Sequence, residues 1–278
     1  MHPVIYPCCR IGDYQIIALS DGAMAASLEL LSGIGISDAE DLQHLAGVKD
    51  AGEIHINCYL IRGGGRTLLV DSGTGGHNNM GGLLQSKLRR LGVHPDEIDT
   101  LLLTHGHPDH IGGLLNEQGD PVFKHAVLQI HPLEVAYWQD HAISAAASER
   151  GKRNIALARR VLDAYAEKIQ LFDEQEILPG ISPVWLPGHT PGHTGFTVCS
   201  GQQRLLIWGD IVHFPHIQTV RPAVSVMFDV DPDLAAETRN TVLQKAVDEQ
   251  LIIAGMHLDQ TGFVRLRYAE GEYRIAPA

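Results

Sequence analysis

The chain has 278 residues, with 33 acidic and 21 basic side chains, so its formal charge is −12 when the histidines are neutral. With 44% hydrophobic and 19% charged residues, its composition is that of a globular protein and excludes the disordered, collagen-like and coiled-coil classes. The acidic balance argues against a general binder of nucleic acids or anionic membranes, which needs a basic face. The composition leaves open a protein that acts on small molecules.

The first residues predict no secretory signal, because they contain two prolines and neither a basic stretch nor a long apolar run. No segment approaches the roughly 20 apolar residues that a membrane-spanning helix needs. Four cysteines are too few for a disulfide scaffold. We therefore expect a cytoplasmic protein with a single domain over residues 1–278.

Hydrophobic periodicity predicts strands that alternate with helices. In the first half of the chain, the predicted strands are 15–19, 54–61, 67–70, 99–104 and 126–130. The predicted helices there are a short one capped by Ser37, one at 83–91, and an alanine-rich stretch at 132–168. In the second half, strands are predicted at 184–186, 195–199, 204–208 and 251–254, a helix at 233–250 with the N-cap candidate Asp231, and a hairpin over 263–268 and 273–275. The pattern predicts an α/β fold, an αββα sandwich of two mixed sheets with helices outside.

The most informative segment is Thr-His-Gly-His-Pro-Asp-His at 104–110, directly after a buried strand. Three imidazoles and one carboxylate within six positions are a donor mixture that suits Zn²⁺ and similar divalent ions. Because one residue separates His105 from His107, both can reach one ion from an extended chain. Asp109 and His110 follow Pro108, where the chain bends, and can face a second ion.

Four ligands do not complete two metal sites, and three later segments supply more. Gly-His-Thr-Pro-Gly-His, at 188–193, is a turn-rich loop with two histidines. Asp210 and His257 each follow a further predicted strand, which is where an α/β sheet assembles a ligand crevice.

These four segments, in this order, resemble the metallo-β-lactamase superfamily in its dinuclear hydrolase branch, over nearly the whole chain. The resemblance implies two divalent metal ions, with Zn expected first and Mn, Fe or Co as alternatives. It implies seven ligands: His105, His107 and His193 for one ion, Asp109, His110 and His257 for the other, and Asp210 bridging both. His189 would then shape the turn, and Asp71 would orient a ligand histidine.

The segments around 209–218 and 226–232 look most like methyl parathion hydrolase and the quorum-quenching lactonases. This resemblance implies a metal-bridging hydroxide that opens a lactone of the N-acyl-homoserine type, or cleaves a carboxyl ester or a phosphotriester. Asp210 would hold the bridging position, and Asp109 would carry a proton to the leaving alkoxide. Candidates for the substrate pocket are Phe214, His216, Met227 and Phe228, and His213 also follows Asp210 closely.

Other branches of the superfamily match less well. The zinc β-lactamases use a cysteine near the position of Asp210, and the nucleases carry a basic insertion that this chain lacks. A glyoxalase II-like thioesterase remains an alternative, as does a redox-active or non-catalytic metal-binding member. We expect a small-molecule ester or lactone as partner, and neither nucleic acid nor membrane. The alanine-rich stretch is either an outer helix pair or the face of a homodimer.

Overall fold

The computed structural model describes residues 6–173, 175–259 and 261–278. Over these residues the strands, in chain order, are β1 Cys8–Ile11, β2 Tyr14–Ala25, β3 Leu31–Ser32, β4 Glu53–Gly63, β5 Arg66–Val70, β6 Thr100–Leu102, β7 Val127–Ile130, β8 Ile169–Leu171, β9 Ile181–Trp185, β10 Thr194–Ser200, β11 Gln203–Ile207, β12 Ser225–Val226, β13 Ile252–Ala254, β14 Phe263–Ala269 and β15 Glu272–Pro277. The α-helices are α1 Ile36–Leu45, α2 Leu84–Arg90, α3 Pro108–Ile111, α4 Pro132–Gln139, α5 His141–Ala146, α6 Glu149–Ala164, α7 Pro215–Gln218 and α8 Pro232–Asp248.

Two large mixed sheets form the centre of the fold. One has the strand order β1-β2-β4-β5-β6-β7-β8 and the other the order β15-β14-β13-β11-β10-β9, while β12 and β3 form a small separate pair. Strands β5 to β8 run parallel to one another, as do β11 and β13. Parallel neighbours end at the same edge of a sheet, so the loops that follow them lie close together.

Three apolar layers hold the sheets and helices together. Ile16 and Tyr59 of the first sheet pack with Phe196 of the second in a core between the sheets. A second core lies between the first sheet and helices α2, α3, α4 and α6. A third lies between the second sheet and α8. Burial on both faces explains the nearly continuous apolar runs of the central strands, and the predicted αββα layering is confirmed.

Differences from the sequence prediction concern mainly the ends of elements. Ser37 is not an N-cap, because α1 begins at Ile36 behind Gly35, whose position gives no side-chain cap. The stretch 132–168 divides into α4, α5 and α6, since Asp140 and Ser148 each accept hydrogen bonds from backbone N–H groups and so begin a new helix. Asp231 is an N-cap as predicted, and accepts a hydrogen bond from the backbone N–H of Leu234.

Several short strands carry no clear signal in the sequence. Strands β3 and β12 have two residues each, and β8 has three, which is too short for a period of two to be recognised. None of the helices over the described residues has the length and apolar composition needed to cross a membrane.

Candidate metal centre

The candidate ligands lie in loops that leave the same edge of the two sheets. His105 follows β6, His189 follows β9, Asp210 follows β11 and His257 follows β13. Asp109 and His110 lie in the short helix α3. Most of these donors are buried, whereas His107 and Asp109 are partly exposed. The parallel pairing of the central strands therefore brings together residues that are up to about 150 positions apart in the chain.

The first group of donors consists of three imidazoles. His107 Nδ1 lies 2.9 Å from both His105 Nε2 and His189 Nε2, and these two Nε2 atoms are 3.2 Å apart. Burial and neighbouring imidazoles keep the pKa of His105 and of His107 well below the usual value. Both rings are thus neutral at physiological pH, and their lone pairs are available to a metal ion.

The second group combines two carboxylates and two imidazoles. Asp210 Oδ2 lies 3.1 Å from His110 Nε2 and 3.2 Å from His257 Nε2. Asp109 Oδ2 lies 3.6 Å and 3.8 Å from the same two nitrogens. Burial would lower the pKa of His110 and of His257, but the nearby carboxylates of Asp210 and Asp109 raise both.

Asp210 joins the two groups. The same Oδ2 lies 3.7 Å from His105 Nε2 and 3.6 Å from His189 Nε2, in the first group. Its Oδ1 is buried and has no hydrogen-bond partner among the described residues. Burial opposes the charge of this carboxylate, but the imidazoles around it hold its pKa well below the usual range. Asp210 is placed to bridge two ions.

His193 does not enter the centre, which corrects the ligand set taken from the resemblance. Its Nδ1 lies 2.8 Å from the carbonyl oxygen of Leu186, and its Nε2 accepts a hydrogen bond of 2.8 Å from the backbone N–H of Asp210. Both ring nitrogens are therefore used by the backbone. Burial lowers the pKa of His193 to about 3, which suits an acceptor at Nε2. The structure gives the ligand position to His189 instead.

The ligand imidazoles are oriented through their second ring nitrogens. Asp71 Oδ2 lies 2.7 Å from His110 Nδ1, as the resemblance implied. Asp229 Oδ1 lies 2.8 Å from His189 Nδ1, a contact that the sequence analysis did not predict. The carbonyl oxygen of His55 accepts from His257 Nδ1 at 2.7 Å. Such partners fix the tautomer and direct the other nitrogen at the metal.

The donor set fits divalent metal ions. Buried nitrogens with unshared lone pairs repel each other at these distances unless a proton or a cation lies between them, and Asp210 Oδ1 is buried with no hydrogen-bond partner in the described part of the chain. Imidazole and carboxylate donors suit Zn, Mn, Fe and Co alike. A third set of His189, Asp210 and His213 overlaps the first two, because His213 Nε2 lies 3.0 Å from Asp210 Oδ2.

A cavity of about 530 Å³ opens onto the two groups. His107, Asp109, His189, Asp210 and His213 form its floor. It is also lined by His77, Asn78 and Met80, by one side of α6 and by Phe228.

Of the four residues predicted for the pocket, only Phe228 lines this cavity. Phe214 is buried in an apolar cluster with Ile217 and Val224. Met227 points to solvent and is 70% exposed, and His216 lies in α7, away from the lining. These three predictions are wrong because membership of the segments 209–218 and 226–232 does not decide on which side of the chain a side chain lies.

Known proteins show the same fold. The crystal structure of AbOPH, a hydrolase in the beta lactamase superfamily, matches with a TM-score of 0.90 and 27% identity, and the match covers 98% of this chain and 97% of that chain. The lactonase AidC matches with a TM-score of 0.90 and 24% identity over the same shares of both chains.

Sequence comparisons agree with the structural ones. Ribonuclease Z of Aeropyrum pernix is 44% identical over 50 residues, which are 18% of this chain and only 14% of that protein. The model of the metallo-beta-lactamase superfamily matches residues 51–257, the span that contains every residue of the two donor groups. This chain therefore belongs to the metallo-beta-lactamase superfamily.

Proposed function

We propose that this protein is a metal-dependent hydrolase that opens a lactone or cleaves a carboxyl ester of a small molecule. The observation that carries the proposal is the position of Asp210 Oδ2, within 3.7 Å of imidazole nitrogens from both donor groups, beneath a cavity of about 530 Å³. A cavity of this size suits a small substrate.

His105, His107 and His189 would hold one ion, Asp109, His110 and His257 the other, and Asp210 both. Two divalent ions bound there supply Lewis-acid activation of a carbonyl and lower the pKa of water. The protein keeps the carboxylate of Asp210 ionised and buried, and Asp71 and Asp229 keep the imidazoles in position.

We assign proton transfer to Asp109. Its side chain is 18% exposed and lines the cavity, so its Oδ2 can reach a leaving alkoxide. The imidazoles of His110 and His257 outweigh the effect of burial and lower the pKa of this carboxylate. Asp109 would therefore hold the proton released by the attacking water only briefly and pass it on to the more basic leaving alkoxide.

Lactones and esters are proposed as substrates because both present a planar carbonyl and release an alkoxide. AidC, which has the same fold, is a dizinc quorum-quenching lactonase solved with an N-acyl-homoserine product. At 24% identity, the likeness to AidC supports the fold alone. The substrate of this chain is therefore proposed from its own site.

The test compares initial rates on an N-acyl-homoserine lactone, an aryl ester, a thioester and a phosphotriester, with elemental analysis of the same sample. We expect about two metal ions per chain and turnover of the lactone or the ester. Asp210→Asn should lower kcat/KM by more than the roughly 100-fold that loss of an outer partner costs. Asp41→Asn, on the exposed surface of α1, is the matched control and should leave the rate unchanged.

Two results would contradict the proposal. Metal content without turnover of any substrate would identify a binding protein, and activity that survives complete removal of metal would exclude this centre. Preference for the thioester would instead favour a glyoxalase II-like reaction.

A further inference from the structure

Three arginines line the cavity along one wall. Arg150, Arg153 and Arg160 all belong to α6, together with Leu157, which lies between them on the same wall. The four residues follow one another at spacings of three, four and three positions. This is the period of an α-helix, so they share one face. At about 1.5 Å per residue, the row extends along roughly 15 Å of the wall.

The packing of α6 fixes this face toward the cavity. Ile155, Ala158 and Leu162 lie on another side of the helix and are buried in the core against the first sheet. Rotation of the helix would expose these apolar side chains to water. The arginines are therefore held at the cavity by burial elsewhere on their own helix.

The charge of this wall contrasts with that of the whole chain, which is −12. Among the described residues, the acidic side chains that line the cavity are Asp109 and Asp210, and both belong to the donor groups. Among the described residues of α6, the side chains that form ion pairs or hydrogen bonds are Glu149, Lys152 and Arg159, and not the three cavity arginines. Arg150 instead lies over the ring of Phe228, 4.7 Å from its centroid.

We propose that the substrate carries a carboxylate at the end remote from the bond that is cleaved, and that the arginines of α6 bind it. The proposal rests on the hydrolase function above and names the substrate class. A guanidinium group recognises a carboxylate through two parallel hydrogen bonds, and it remains charged at any physiological pH. Met24, Ile54 and Leu157, which also line the cavity, suit an apolar segment between the carboxylate and the scissile group.

The test uses two esters with the same six-carbon acyl chain. One is para-nitrophenyl hexanoate, which is neutral, and the other is the mono-para-nitrophenyl ester of adipic acid, which ends in a carboxylate. We expect the metal-loaded protein to show a kcat/KM about tenfold or more higher for the adipate ester, a preference that decreases with ionic strength. Arg153→Gln and Arg160→Gln should each remove most of this preference and leave the rate on the hexanoate ester within about twofold.

Binding is measured separately from turnover. Calorimetry with adipic acid monoanilide and with hexananilide, two amides of the same shapes, should show tighter binding of the acid and loss of that difference in the arginine variants. Arg89→Gln, at an exposed position of α2 outside the cavity, removes the same charge from the chain and should preserve the preference.

Equal kcat/KM and equal affinity for the charged and neutral partners would overturn the proposal, as would an equal loss in Arg89→Gln. Either result, with turnover of the hexanoate ester intact, leaves the hydrolase function standing. Absence of turnover of both esters and of the lactone contradicts the hydrolase function itself. Tighter binding of the monoanilide would then still support the anion site.

Discussion

His189 and His193 lie four residues apart in one loop, yet only His189 points its Nε2 at the other donors. The ring of His193 is turned so that both nitrogens satisfy backbone groups of Leu186 and Asp210. Its function is to connect the end of β9 with the loop after β11. A Gly-His-Thr-Pro-Gly-His motif offers two equivalent imidazoles, and the choice between them depends on the path of the loop in space.

Substitution of these two histidines should give opposite results. His189→Asn removes a donor and should lower the affinity for metal by more than about 100-fold. His193→Asn should retain both ions, and its cost should be in stability, about 1–3 kcal/mol, because two buried hydrogen bonds are weakened. Competition with a chelator gives the affinity, and urea unfolding gives the stability. If His193→Asn lost metal and His189→Asn retained it, the ligand set implied by the resemblance would be the correct one.

Asp229 is the outer partner of His189, and its removal should weaken the metal centre. The side chain is fully buried, accepts from the backbone N–H of Val226 and lies 3.7 Å from a nitrogen of Arg239. Asp229→Asn should lower the affinity for metal by about 10- to 100-fold. Asp231→Asn, two residues away, keeps a side chain that can cap α8 and should leave the affinity unchanged.

The same carboxylate makes the stability of the metal-free protein dependent on pH. Burial opposes its charge, but the hydrogen bond with His189 and nearby positive groups lower the pKa of Asp229. Because the pKa is lower in the folded state, the charged carboxylate stabilises the fold at pH values above its unfolded-state pKa of about 3.9. This stabilisation is lost as the pH falls through the folded-state pKa. Urea unfolding in chelator should therefore show a difference between wild type and Asp229→Asn at neutral pH that shrinks in acid. A difference that grows in acid would contradict the assignment.

At the scale of elements, the sequence predicted the regular structure best where periodicity was long. The strand predicted at 54–61 and the turn after Gly63 correspond to β4 and its hairpin with β5, where Gly64 and Gly65 take φ values of 59° and 73°. The arginine face of α6 was missed, because a basic helix face normally indicates solvent and only the tertiary packing shows that this one borders a cavity.

The loop that carries His189 depends on one glycine. Gly188 has a φ of 124°, and a Cβ there would lie 2.2 Å from the backbone nitrogen of Ala235 in α8. Gly188→Ala should therefore displace the loop, cost about 2–5 kcal/mol of stability and weaken metal binding with it. Gly201→Ala is the control, because its φ of 57° is strained but its Cβ would meet no atom within 4 Å. It should cost about 1–2 kcal/mol and leave metal binding unchanged. Equal metal affinity in both variants would show that Gly188 is not needed to position the metal ligands.

For the molecule as a whole, the metal centre links the two sheets. Its donors follow β6 of the first sheet and β9, β11 and β13 of the second. Bound ions should therefore stabilise the packing of one sheet against the other. A ligand at 100 times its Kd adds about 2.7 kcal/mol per independent site, so removal of metal should lower the Tm, and restoring Zn or Mn should recover it. An unchanged Tm after proven removal of metal would show that the donors are preorganised without the ions.

Most of the centre could be predicted because its ligands cluster in short motifs directly after apolar strands. His105, His107, Asp109, His110, Asp210 and His257 all lie together as expected. Asp229 could not be predicted, since 40 residues separate it from His189 and its immediate neighbours give no sign of a metal site. The proposed single domain, a homodimer and a cytoplasmic location stay predictions.

A β-bulge between Ser20 and Gly22 interrupts the pairing of β2 with β4, and it turns the side chain of Asp21 toward the segment 74–84. The two carboxylate oxygens accept from the backbone N–H groups of Thr74, Gly82 and Leu84. Both ends of that segment are thus bound to the sheet, while His77, Asn78 and Met80 at its tip line the cavity. The tip can consequently gain or lose residues without loosening the scaffold, so relatives that act on different substrates should diverge there first.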